Sequence, residues 1–186
     1  MLDADEYLHL AIHASQTGNH HAALDHLHKA LEQSPEHVAV RYFLAAEHAE
    51  LGLFERACSE MGEVLLIAPD MAIARFQFGL LNLQLERPEV ARQAFSLLSE
   101  NTEDESLRAF ARAYLLLLDN QPLEAKVQFE AGLSQCSNPA LQADMLRVLS
   151  SLSAEPVEGA DVSPAAEAES SAPVYLGAYR NRHEPL

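Results

Sequence analysis

Apolar residues recur every three or four positions along residues 1–152, which is the spacing of one face of an α-helix. In one such segment Ala23, Leu27 and Ala30 fall on the same predicted face. Gly18 stands where a helix end needs a left-handed residue, and Pro35 marks the end of the next helix because proline cannot continue it. The pattern therefore predicts a series of short helices and an all-α fold.

The same pattern returns with a period of 34 residues, which is the signature of a repeat architecture. Pairs of glycines, alanines and prolines share this spacing, namely Gly18 and Gly52, Ala23 and Ala57, and Pro35 and Pro69. The series of alanines that begins with Ala23 and Ala57 continues with the same spacing at Ala91 and Ala125. A large apolar residue follows each small one four places later, at Leu27, Met61, Phe95 and Phe129.

These columns resemble the tetratricopeptide repeat (TPR), a family of stacked antiparallel helix pairs. The residues that carry the resemblance are Tyr7, Leu10, Gly18, Ala23, Leu27, Ala30, Pro35, Leu44, Gly52, Phe54, Ala57, Pro69, Phe78, Gly79, Ala91, Phe95, Ala125 and Phe129. It implies a right-handed superhelix, a TPR α-solenoid, with about four repeats at 4–37, 38–71, 72–105 and 106–139. Asn138 and Pro139 are typical of a helix start, so we expect a capping helix over 139–152 that covers the last apolar face.

One column departs from the family pattern. Arg41 and Arg75 stand where the second and third repeats would hold a large aromatic residue. Either Tyr42 and Phe76 take over that packing, or the arginine stems lie along the surface with their charged heads in solvent.

The resemblance also implies where a partner binds, since the first helix of each pair lines a concave groove in this family. The columns predict an apolar, partly aromatic groove that binds an apolar peptide or helix of another protein. Its expected lining residues are Leu8, Ile12, Tyr42, Ile73, Phe76, Leu80, Leu83, Phe110, Tyr114 and Leu117. The lysine and arginine clamp that some TPR co-chaperones use for carboxylates is missing from these columns.

Composition excludes several other functions. The net charge of −16, from 28 acidic and 12 basic residues, disfavours binding to nucleic acid. No apolar run is long enough for membrane insertion, and the start lacks a signal peptide, so we expect a cytoplasmic protein. Cys58 and Cys136 have no metal or redox spacing, and no catalytic motif is present. We therefore expect neither a cofactor nor enzyme activity.

The composition changes after Leu152. Residues 153–172 contain five acidic residues and no basic or aromatic one, so we expect a disordered acidic linker. Residues 173–186 form a short motif whose expected docking residues are Tyr175, Leu176, Tyr179, Arg180 and Arg182. We expect this docking motif to fold back into the groove of its own chain, where it competes with the partner, or to dock on a neighbouring protomer. A homodimer formed through the groove is the alternative.

Eight of the nine histidines lie within the first 48 residues. His9 and His13 are four positions apart on one predicted helix and are weak metal candidates, although a solvated histidine surface is the simpler interpretation. The sequence thus favours an adaptor or scaffold that binds protein. The alternatives are a secretion-type TPR chaperone for an exported protein, and a metal- or pH-responsive regulatory subunit.

Overall fold

A computed structural model describes residues 2–153, and this range is entirely helical apart from turns. Its nine helices are α1 (Ala4–Gln16), α2 (His20–Gln33), α3 (Val38–Glu50), α4 (Phe54–Ile67), α5 (Ala72–Gln84), α6 (Pro88–Asn101), α7 (Glu105–Leu118), α8 (Pro122–Gln135) and α9 (Pro139–Ser153). The all-α fold is confirmed. The expected linker beyond Ser153 and the motif at 173–186 lie outside the described residues, while Ser153 itself is the last residue of α9.

Consecutive helices are joined by turns of three or four residues and pack as antiparallel hairpins. Each hairpin packs on the next, and α9 covers α8 at the end of the stack. Within the described range, α1 contacts α3 and α5 contacts α7 more closely than any two even-numbered helices contact each other. The odd-numbered helices therefore form the inner layer of the curved stack.

The turn inside each hairpin is built in the same way in all four hairpins. Gly18 and Gly52 have φ angles of 76° and 75°, and Glu86 and Asn120 take the equivalent positions with 56° and 57°. The next residue each time donates its N–H to the carbonyl five positions earlier, with N···O distances of 2.8–2.9 Å. This Schellman pairing satisfies carbonyls at the helix end. The left-handed conformation is therefore kept in the third and fourth hairpins, where the residue is not glycine.

Both alternatives for the arginine column occur together. Tyr42 and Phe76 are fully buried and take over the packing. The neighbouring arginines lie at the surface, where Nε of Arg41 and Nη2 of Arg75 each donate a 2.7 Å hydrogen bond to a loop carbonyl. Arg108 contacts the carbonyl of the loop before α7 in the same way. The arginines thus tie each inter-hairpin loop to the helix that follows it.

The left-handed turn residues give a direct test of the repeat. Glu86 is exposed and holds a conformation that costs a residue with a side chain about 1–2 kcal/mol. Replacing Glu86 by glycine should therefore raise the free energy of unfolding by about 1 kcal/mol, measured by urea denaturation. The matched substitution Gly52→Ala should lower it. A destabilising Glu86→Gly change would contradict this account of the turn.

Candidate functional site

The inner layer does not present the open aromatic groove that the repeat columns predicted. Tyr42, Phe76 and Phe110 have no exposed area, and Leu8, Leu80 and Tyr114 are at most 9 % exposed. The prediction that these six residues line an accessible groove is wrong, because they fill the space between helices. The predicted residues that stay half-buried are Ile12, Ile73, Leu83 and Leu117.

Ring packing is the physical reason for this closure. An aromatic cluster, formed by Phe76, Phe95, Phe110, Tyr114 and Phe129, joins helices α5 to α8. Phe95 stacks on Tyr114 with ring centroids 5.1 Å apart, and Tyr114 meets Phe129 edge-on at 5.4 Å. Phe76 and Phe110 come from adjacent odd-numbered helices, and their centroids lie 6.3 Å apart. The rings therefore pack against one another and leave no open groove for a ligand between them.

Small residues make this close packing sterically possible. An added Cβ at Gly79 would lie 2.5 Å from Cε1 of Phe95, and one at Gly132 would overlap the ring of Phe110. Such distances are too short for any side chain at either position. Both glycines are therefore required by ring packing rather than by backbone conformation.

The surface keeps a cleft of about 640 Å³ between the third hairpin and its neighbours. The α4–α5 loop, the start of α5, the last turns of α6 and the α6–α7 loop form its walls. Leu97 lies in it and is 47 % exposed. The carboxylates of Asp70, Glu103 and Asp104 line the rim, so the cleft is both apolar and acidic. Sequence reasoning missed this site.

Asp104 is already engaged in local structure. Its Oδ1 accepts hydrogen bonds from the backbone N–H groups of Ser106 at 2.9 Å and Leu107 at 3.0 Å, so it caps α7. Asp70 and Glu103 are exposed and take part in no ion pair within residues 2–153. These two carboxylates are therefore available to a basic ligand group.

The cleft lacks an ion pair that is present at the equivalent positions of the preceding hairpin. In the second hairpin Arg41 pairs with Glu63. One period later the same two columns hold Arg75 and Leu97, and no carboxylate of residues 2–153 lies within 4 Å of the Arg75 guanidinium. Arg75 and the exposed Leu97 both line the cleft, and the guanidinium has more N–H donors than the one bonded to the Pro69 carbonyl. The signal in the sequence was the change from glutamate to leucine in that column.

Three histidines make structural contacts, and one of them, His37, caps α3 and lies 3.0 Å from Asp5 Oδ1 through its Nε2. His20 Nδ1 lies 2.8 Å from Glu47 Oε2, which joins the first hairpin to the second. His48 is buried, with its Nδ1 2.6 Å from Glu60 Oε2, so the expectation of a solvated histidine surface is wrong for this residue. His9 and His13 are exposed on α1. Among residues 2–153 no three histidine, cysteine, aspartate or glutamate side chains are placed to share a metal ion.

The two cysteines are poorly suited to nucleophilic chemistry. Cys58 is buried and Cys136 is half-buried. Burial raises the pKa of both thiols above the ordinary value for cysteine. At neutral pH they are therefore thiols rather than the reactive thiolates.

Comparison with known proteins identifies the repeat. Residues 14–76 match the family model described as tetratricopeptide repeat. No curated protein sequence matches the chain. Within the described range, none of the helices combines the length and apolarity needed to cross a bilayer.

Several solved TPR structures are similar to the described fold. A structure of PilF from Pseudomonas aeruginosa is 26 % identical with a TM-score of 0.63, over 78 % of this chain and 67 % of that one. A TPR protein from Parabacteroides merdae is 21 % identical with a TM-score of 0.64, over 81 % and 59 %. MamA from Desulfovibrio magneticus is 15 % identical with a TM-score of 0.59, over 80 % and 84 %. The last two likenesses concern the fold alone.

A core role for the aromatic cluster predicts a large stability effect. Phe110→Ala should lower the free energy of unfolding by about 3–5 kcal/mol, because it opens a cavity where no solvent reaches. The control Leu66→Ala removes a side chain that is 84 % exposed and should change it by about 0.5 kcal/mol or less. Urea denaturation measures both. Similar small effects from the two variants would place Phe110 on an open surface instead.

Proposed function

Since the chain is a tetratricopeptide-repeat protein, we propose that it is an adaptor that binds a segment of another protein in the cleft around Leu97. Stacked helical repeats offer large, rigid surfaces, and their general use is protein recognition. The proposed role is non-catalytic, cytoplasmic and independent of a cofactor. The observation that supports this choice of surface is that the exposed Leu97 stands where the preceding hairpin has a glutamate, which leaves Arg75 without an ion-pair partner among residues 2–153.

The cleft chemistry defines the partner segment. An apolar side chain of the segment packs on Leu97, and a backbone carbonyl or another acceptor takes a hydrogen bond from Arg75. The rim carboxylates Asp70 and Glu103 favour a basic residue nearby. A short apolar segment that also carries lysine or arginine therefore fits best, either extended or helical.

The remaining residues of the expected groove carry less weight. Ile12, Ile73, Leu83 and Leu117 are half-buried and are distributed over three helices. They add contact area for a longer partner helix, but the space between them is filled by core side chains. The cleft has both the volume and the polar groups that fix an orientation.

The secretion-type chaperone is a narrower form of the same proposal, in which the bound segment belongs to an exported protein. The identity of the recovered partner separates the two forms. The metal-responsive alternative has no specific observation in its favour, because His9 and His13 stand apart from other metal-ligating side chains in residues 2–153.

The test is a substitution at position 97 that gives Arg75 a carboxylate partner. Leu97→Glu gives the third hairpin the pair that Arg41 and Glu63 form in the second, so the fold should tolerate it. It removes the apolar contact and engages Arg75. Recovery of the partner in affinity purification from native cells, quantified by mass spectrometry, should fall about tenfold or more.

Val90→Glu is the matched control, because Val90 is also exposed on α6 but lies outside the cleft lining. It should leave partner recovery unchanged. Circular dichroism of both variants verifies that helicity is retained. Equal recovery with wild-type chain and folded Leu97→Glu chain would contradict the proposal.

A further inference from the structure

The outer surface of the fourth hairpin differs from that of the first three. Two equivalent positions on the second helix of each hairpin, spaced 34 residues apart along the chain, are exposed in all four hairpins. In the first three hairpins both columns are polar, with His21 and Asp25, Glu55 and Ser59, and Glu89 and Gln93. In the fourth they hold Leu123, which is 72 % exposed, and Val127, which is 60 % exposed.

These residues form an apolar stripe along α8. Leu123, Val127 and the exposed Ala131 are four positions apart in turn, so their side chains lie on one face of the helix. The exposed carboxylates of Glu124 and Glu130 stand beside this α8 stripe. Large apolar side chains rarely cluster on a free surface unless another segment covers them.

The last helix of the stack does not cover the stripe. Helix α9 packs through Leu141 and Met145 into the core that contains Ala125 and Phe129 of α8. Those two residues are on the buried side of α8, whereas Val127 is on the exposed side. Another segment must therefore cover the stripe if it is covered at all.

The chain leaves the described structure at the end where the stripe begins. Helices α8 and α9 are joined by three residues and pack together, so they run antiparallel. Leu149 and Leu152 at the end of α9 join the same core as the leucines that end α7. Since α8 starts only three residues after α7 ends, Ser153 and Leu123 lie at the same edge of the stack.

Residues 173–182 have the chemistry that matches the stripe. They contain Val174, Tyr175, Leu176 and Tyr179 as apolar groups, and Arg180 and Arg182 as charges, with no acidic residue. Six acidic residues and two arginines follow Ser153, so of the net charge of −16 the described helices carry −12. A segment of charge +2 is therefore attracted to the helical part as a whole, and its arginines suit the exposed Glu124 and Glu130 beside the stripe.

The connecting chain is long enough for this contact. Nineteen residues separate Ser153 from residue 173, and a chain of that length can span roughly 25 Å, from 5–6 Å multiplied by the square root of the residue number. A helix with the 14 residues of α8 is about 21 Å long. The segment can therefore reach any part of the stripe from Ser153.

We propose that residues 173–182 dock on the α8 stripe of their own chain, with Tyr175, Leu176 and Tyr179 against Leu123 and Val127. This contact is separate from the cleft and goes beyond the proposed function. It holds the acidic linker as a closed loop at one end of the stack. It also makes the tyrosine and arginine motif unavailable to other proteins while it is docked.

Photo-crosslinking of the full chain tests the contact. A benzoylphenylalanine replaces Val127 in one variant and Gln93 in the control, which is the same exposed column one hairpin earlier. Mass spectrometry counts the crosslinks to residues 173–182. We expect about tenfold more from position 127, because tethering raises the local concentration of a matching segment equally for both positions but only one binds it.

Mixing isotope-labelled and unlabelled chains before irradiation separates contacts within a chain from those between chains. Crosslinks within single chains support the proposal. Crosslinks mainly between chains, equal yields from positions 127 and 93, or no crosslinks to residues 173–182 would each overturn it.

A second measurement uses residues that the repeat already tolerates. The double variant Leu123→Glu, Val127→Gln restores the side chains found at Glu89 and Gln93. Amide hydrogen exchange of residues 173–182 in the full chain should then rise to the rate of a synthetic 173–182 peptide. The control Glu89→Gln, Gln93→Glu should leave it slow. Peptide-like exchange in the wild-type chain, or no change in the double variant, would overturn the proposal.

Discussion

Ring-to-ring packing in the aromatic cluster holds the second half of the stack together. The rings of Phe76 and Phe110 meet across adjacent inner helices, and Phe95, Tyr114 and Phe129 pack around them. Gly79 and Gly132 give the rings the space they need. Because these aromatic side chains are used in the core, the inner layer is closed there, and the binding surfaces that we propose lie at an edge and on the outer face.

The helices and the turns could be predicted from sequence because they depend on local chemistry. Proline, glycine and the small columns predicted the hairpins, and Asn138 caps α9 as expected. The left-handed turn at Glu86 could not be inferred from residue type, since only its place in the 34-residue period reveals it. The prediction of an open groove was wrong for a different reason. A column indicates which face of a helix a residue occupies, but the distance between neighbouring helices decides whether that face is open.

The repeats serve as internal comparisons, and both surfaces that we propose for binding lie where one hairpin differs from the others. Where Arg41 has Glu63, Arg75 has Leu97, and a cleft remains with an exposed leucine and available N–H donors. Where three hairpins expose polar residues, the fourth exposes Leu123 and Val127.

The rings of the aromatic cluster are closed to solvent, and exposed apolar side chains such as Leu97 lie outside it. Hydroxyl-radical footprinting of the native full chain measures the solvent access of individual side chains and tests this directly. We expect slow oxidation at Phe76, Phe95, Phe110 and Phe129, with fast oxidation at Leu97. Oxidation of Phe76 and Phe110 at the rate of Leu97 would contradict it and restore the open aromatic groove.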